Sequence, residues 1–223
     1  MRKRNLILIG FLFCLVACQS ISPMPPIRDP QITMENLPSK AYIQGITPVK
    51  AIAEASCVPA SLEMIMRFYG KNLSKDEISD WVQRARGSSK EDMERFLLMK
   101  GFEIYPFYDW QSDKRRIKYF LSQGYPVLAG GQVTNIHTLH VIVLAGYDDN
   151  VESSEGDVNS IIRKGFFYVY DSASGNYSTL SYLRFNEFQR AEVEECRNYC
   201  LVTWPKNYIQ KSGGASGSKG SKR

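Results

Sequence analysis

Three side chains in this sequence have the types and the order that nucleophilic acyl chemistry needs: Cys57, His140 and Asp171. Cys57 stands where a helical pattern begins. A helix N-terminus stabilises an anion, so a thiol there ionises more readily, and the thiolate is the species that attacks a carbonyl. Taken alone, a cysteine on such a helix is more often a buried apolar filler. His140 opens the most apolar run of the chain, from which an imidazole could be held at the edge of a sheet. The chain has 2 histidines, so His137 is the rival general base. Asp171 ends the run Phe166-Phe167-Tyr168-Val169-Tyr170. A carboxylate there could orient an imidazole, or simply start the turn Asp171-Ser172-Ala173-Ser174-Gly175.

The other four cysteines have different prospects. Met1-Arg2-Lys3-Arg4 followed by a mostly apolar stretch over 5–15 has the build of a secretory signal. Leu15-Val16-Ala17-Cys18 then resembles the lipobox of bacterial lipoproteins. Cleavage before Cys18 would remove Cys14 with the signal and leave Cys18 to carry a diacylglycerol anchor. The apolar stretch is short for a bilayer span, which takes about 20 residues. Gln19 in place of an aspartate favours the outer membrane, facing the periplasm, in a diderm host. In such an oxidising compartment Cys196 and Cys200 could form a disulfide, although four-residue spacing suits a turn rather than a regular helix. Zinc is the rival reading, but two thiols without a further pair or histidine are a poor ligand set, and no metal is expected.

Positioning these groups requires a scaffold, and the pattern supplies helices first and strands later. Val58, Leu62, Ile65 and Tyr69 recur at helical spacing, with Pro59 in the first turn and Gly70 closing the helix. Ser74 and Glu77 form a capping-box pattern before Ile78, Trp81 and Val82, and Ser88 with Glu91 repeats it before a third helix ended by Gly101. A fourth helix is expected over 112–123. Strands are expected over 102–107, 126–133, 140–147, 165–171 and 199–204, with a polar connection over 148–164. The run Val141-Ile142-Val143-Leu144-Ala145 does not alternate, as suits a strand buried on both faces. The fold class is therefore α+β.

The flanks differ in character from this body. Residues 18–40 comprise the anchor cysteine and a proline-rich, flexible tether; 41–210 form the domain; 211–223 are a Gly/Ser/Lys-rich tail without a core-forming pattern. Of the net charge of +5, three positive charges lie in the signal (1–17) and four in the tail, which leaves 18–210 at −2. Nucleic acid is not the expected partner.

The order cysteine on a helix, histidine at a strand start, acid on the next strand resembles the papain-like superfamily. Ala55-Ser56-Cys57-Val58-Pro59-Ala60-Ser61-Leu62-Glu63-Met64-Ile65-Met66-Arg67-Phe68-Tyr69-Gly70 is similar to the nucleophile helix of bacteriocin-processing peptidases, which cut leader peptides after double glycine. Gly124-Tyr125-Pro126-Val127 followed by the run from His140 to Asp148 resembles their histidine strand, and Tyr168-Val169-Tyr170-Asp171 with Gly175 their aspartate strand. The resemblance spans about 40–205. It implies a papain-like fold in which Cys57 is the nucleophile, His140 the base and then the acid, and Asp171 the orienting carboxylate, with no cofactor required. The chain departs from the family at Val58, where glycine usually follows the cysteine, at Ser172, where proline is common, and at Ala51, where a glutamine donates to the oxyanion. Gln44 is the nearest upstream glutamine for that role. The expected activity is that of a thiol peptidase acting on a peptide or protein substrate while anchored to a membrane by lipid. The rivals are an inactive peptide-binding relative and a transamidase or deamidase using the same thioester.

Overall fold

Helix α1 (Cys57–Phe68) forms where the apolar positions recur at helical spacing, and it buries Leu62, Met64, Ile65 and Met66. Burial of each such side chain contributes about 1.5–3 kcal/mol relative to exposure. Gly70, at φ 74, turns the chain out of the helix, with Gly70 N–H and Lys71 N–H donating to the carbonyls of Arg67 and Met66. In this computed structural model, residues 23–52, 56–74, 76–77, 80, 89–133, 138–152 and 164–207 are described. The Ser74 capping box forms, with Glu77 N–H on Ser74 Oγ at 3.2 Å and Ser74 N–H on Glu77 Oε2 at 2.8 Å. Ile78, Trp81 and Val82 lie outside the described residues, as do His137 and Cys18.

Helix α2 (Lys90–Met99) is capped by Ser89 and Asp92, one residue later than the Ser88–Glu91 pattern implies. Ser89 takes extended backbone angles and its hydroxyl accepts from Asp92 N–H, while the Asp92 carboxylate reaches back to Ser89 N–H. Helix α3 (Arg115–Ser122) starts later than 112 because Lys114 adopts a left-handed conformation at φ 52 before it. The buried Asp109 carboxylate accepts Ile117 N–H at 3.2 Å, capping the first turn from outside.

The strands are β1 (Lys40–Tyr42), β2 (Phe102–Tyr108), β3 (Val127–Val133), β4 (Thr138–Glu152), β5 (Lys164–Asp171), β6 (Asn176–Ser181) and β7 (Tyr199–Pro205). They make one sheet with the order β2-β7-β3-β4-β5-β6, and β1 pairs with β4; every described pairing is antiparallel. β4 is longer than its apolar run, because its polar second half, to Glu152, still pairs with β1 and β5. Three elements have no strong sequence signal: β1 is three residues, β6 is a largely exposed polar edge strand, and helix α4 (Tyr182–Gln189) is short. α3 packs on β4, β1 and β3, α4 on β3, β5 and β6, α1 on β4, and α2 on β2. Phe167 joins α4 to the sheet, with its ring 4.7 Å from Phe185 and 4.8 Å from Tyr182. The result is the expected α+β arrangement, helices on an antiparallel sheet.

The stretch expected to be a loose tether is, over 23–39, bound to the domain. The Arg28 guanidinium lies 4.0 Å from the centre of the Tyr125 ring and donates to Gly124 O at 2.9 Å. Gln123 Oε1 accepts the backbone N–H groups of Arg28 and Asp29, while Tyr125 and Tyr147 hydroxyls donate to Pro26 O and Pro38 O. The carbonyls of Pro26 and Pro38, residues that read as linker composition, are two of the acceptors that hold the strap to the domain.

Candidate active site

Cys57 is the first residue of α1, and no acidic side chain stands in the first turn. The side chain of Ser56 does not cap the helix, which leaves the first-turn N–H groups directed elsewhere. One of them, Val58 N–H, serves the Cys57 sulfur. A second backbone donor comes from Val141 of β4, and His140 supplies the third partner. Burial acts most strongly on this thiol and raises its pKa. His140 and the two N–H groups together outweigh burial and hold it below the ordinary value.

The placement of α1 follows from where β5 stops. The last β4–β5 partner pair is Ile142 with Asp171, so the edge of β4 at Val141 has no strand beside it on that side. Two α1 side chains one turn apart satisfy that edge. Ser61 Oγ donates to Val141 O at 3.1 Å, and Cys57 sulfur takes Val141 N–H. Helix α1 is thereby fixed against β4 beside His140.

His140 is mostly buried, and its Nε2 lies 2.7 Å from Asp171 Oδ1. With Nε2 so engaged, Nδ1 is the ring nitrogen left for Cys57. Burial disfavours the imidazolium, but the Asp171 carboxylate and the Cys57 sulfur outweigh it and push the His140 pKa up to about 9. Asp171 in turn is raised by burial yet held below the usual carboxylate value by His140 and by Ala173 N–H, which donates to Oδ1 at 2.8 Å. The three shifts agree with one another: a thiolate, an imidazolium and a carboxylate in sequence stabilise their neighbours' charges.

The imidazole is also held from the α4 side. Gly131 faces His140 across the β3–β4 pair. A Cβ on Gly131 would come within 2.4 Å of Phe188 O, so glycine permits Phe188 to close over the site. The Phe188 ring meets the imidazole edge-on, 6.5 Å between centroids.

Of the residues expected to work together, Cys57, His140 and Asp171 are therefore contiguous. Gln44 is exposed on the chain after β1, and among the described residues no hydrogen bond links it to the three. Ala51 offers only its backbone, and its N–H donates to Ser172 O at 2.8 Å. Val58, where the family usually has glycine, buries its side chain in the core. Ser172, the residue in place of a family proline, has a structural part of its own. It is fully buried, and its hydroxyl reaches Cys57 O at 3.4 Å, tying the end of β5 to the start of α1. Ser61 and Phe188 are further site residues that sequence reading missed; only the position of Ser61, one turn after Cys57, hinted at its role.

The possible Cys196–Cys200 disulfide is not formed. Cys200 is a free, buried thiol on β7 whose sulfur turns to Gln189 Nε2 at 3.4 Å. Cys196 ends a short 3₁₀ turn (Glu194–Cys196) before a left-handed residue, Asn198 at φ 55, and the side chains are not brought together. Burial pushes the Cys200 pKa up to about 12. Among the described residues no three His, Cys, Asp or Glu side chains gather as a metal site, and no helix is long and apolar enough to cross a membrane.

A family model described as "Peptidase_C39 like family" matches residues 41–199. No curated protein is matched by the sequence. Among solved structures, a double-glycine-motif protease from an AMS/PCAT transporter, in complex with its leader peptide, is similar at 19% identity and a TM-score of 0.46, over 74% of this chain and 98% of that one. The peptidase domain of Streptococcus ComA is similar at 17% identity and a TM-score of 0.48, over 72% and 99%. Xylellain, a cysteine protease from Xylella fastidiosa, is similar at 13% identity and a TM-score of 0.44, over 82% and 94%.

Proposed function

We propose, for a chain that belongs to the Peptidase_C39-like family of cysteine peptidases, that it cleaves peptide bonds with Cys57 as nucleophile, His140 as base and acid, and Asp171 as the orienting carboxylate. The observation that carries this reading is the His140 ring, which bonds Cys57 and Asp171 at once and is raised while the thiol is lowered. In this mechanism the thiolate adds to the scissile carbonyl, and the imidazolium passes its proton to the departing amine. The thioester left on Cys57 is then hydrolysed by a water that His140 deprotonates. The departing segment and the new acid are the two products. We place this activity at the cell envelope, with Cys18 lipidated and the domain held at a membrane, on the strength of the signal and lipobox pattern.

A second reading, an inactive relative that holds peptides in the same cleft, is favoured by one observation. Ala51, at the position of the family's oxyanion glutamine, has no side-chain donor, and losing such a donor costs about 10²–10³ in rate. Iodoacetamide labelling across pH, with the site located by mass spectrometry, tests the pair directly. Cys57 should label rapidly below pH 7 and slow markedly in His140→Ala. Labelling that follows an ordinary thiol pKa near 8.5 and ignores His140 would remove the nucleophile assignment. Rapid labelling without cleavage of any peptide in a complex digest would select the peptide-binding reading.

A further inference from the structure

We propose that the cavity behind His140 and Asp171 is the subsite for the residue that follows the cleaved bond, and that it selects a bulky apolar side chain there. This rests on the assignment of Cys57 and His140 made above. The cavity has a volume of about 400 Å³ and lies between α4, β6 and the ends of β3, β4 and β5. His140 and Asp171 form part of its wall, whereas Cys57 is not among its lining residues. Ile142 and Val169, both buried, make an apolar floor, and Leu180 and Phe188 add apolar sides. Arg184 and Glu187 also line it, are more exposed, and are paired with each other at 3.1 Å. A charged substrate side chain would have to compete with that pair. An apolar one gains burial against the floor without breaking anything.

The reaction chemistry assigns the side of the bond. When the sulfur–carbon bond has formed and the carbon–nitrogen bond breaks, the proton moves from His140 to the departing nitrogen. The departing segment therefore adjoins the imidazole, while the acyl half stays on Cys57. A cavity that begins at the imidazole and does not touch the sulfur is continuous with the leaving side. Its volume exceeds that of any single apolar side chain, and Leu180, on the edge strand β6, stands where a substitution changes its capacity.

The test is to digest a proteome-derived peptide library with the purified chain and read the new N-termini by mass spectrometry. Wild type is expected to enrich Leu, Met or Phe directly after the cut. Leu180→Trp, which fills the cavity, should shift that position towards Gly, Ala and Ser by about tenfold or more. Leu180→Ala, which enlarges it, should shift preference the other way, towards Phe and Trp. Opposite shifts in the two variants cannot come from a general loss of folding. A preference at that position that neither variant moves, or no preference there, overturns the subsite while leaving the triad intact. If wild type cuts nothing, the peptidase reading and the subsite both fall; rapid Cys57 labelling in the same sample then selects the peptide-binding reading.

Discussion

Cys57 and Cys200 are thiols of one fold, and burial works against ionisation in both. Half-buried Cys57 lies at a helix N-terminus with a histidine and two backbone N–H groups on its sulfur, and its pKa is lowered. Cys200 lies within β7 with a single amide donor from Gln189, and its pKa rises to about 12. The difference is not accessibility alone but the number of donors aimed at the anion. The fold opens one cysteine to donors by leaving one edge of β4 unpaired beside it, and encloses the other by pairing β7 on both sides with β2 and β3.

The contrast can be broken most severely at Cys57. Cys57→Ala should lower peptide cleavage by about 10⁴–10⁶-fold, whereas Cys200→Ala should retain cleavage and lose only about 1–2 kcal/mol of stability in urea unfolding. Equal loss of turnover in both variants, with both folded, would erase the distinction.

The second test removes the charge that sustains the pair. Asp171→Asn is expected to reduce cleavage by about 10²–10⁴-fold. In wild type, cleavage should fall as pH rises through about 9, where His140 loses the proton that the leaving amine needs, while alkylation of Cys57 does not fall because the thiolate persists. In Asp171→Asn that alkaline decline should move to lower pH, since the carboxylate no longer raises the imidazole. A decline that stays in place would show that Asp171 is not the source of the shift.

The smallest effect sharpens the comparison at the joint between β5 and α1. Ser172→Ala removes the hydroxyl from Cys57 O but leaves the backbone bond to Ala51. A hydrogen bond of this kind is worth about 1 kcal/mol, so kcat should fall about fivefold with KM and the pH profile unchanged. A shifted pH profile would instead assign Ser172 to the charge network.

Much of this arrangement is legible along the chain because it depends on local periodicity. The spacing of Val58, Leu62 and Ile65 makes α1, and Pro59 with Gly70 sets its ends. The unbroken apolar run after His140 makes the buried centre of β4. The elements that escaped, β1, β6 and α4, are short or polar, so neither period had room to register, yet α4 brings Phe188 and β6 walls the cavity. The disulfide expectation failed for a related reason: sequence nearness of Cys196 and Cys200 said nothing of Asn198 turning the chain between them.

By itself, then, the sequence determined which residues could ionise and which segments would be helix or central strand, since both depend on side-chain type and short-range spacing. Only the tertiary structure decided that His140 meets Cys57 and Asp171, and that Ser61 and Ser172 bind the halves together. Ser61 and Val141 are 80 residues apart in the chain. Their meeting depends on strand register and on where β5 ends, and register is set by the packing of the whole sheet rather than by any local pattern.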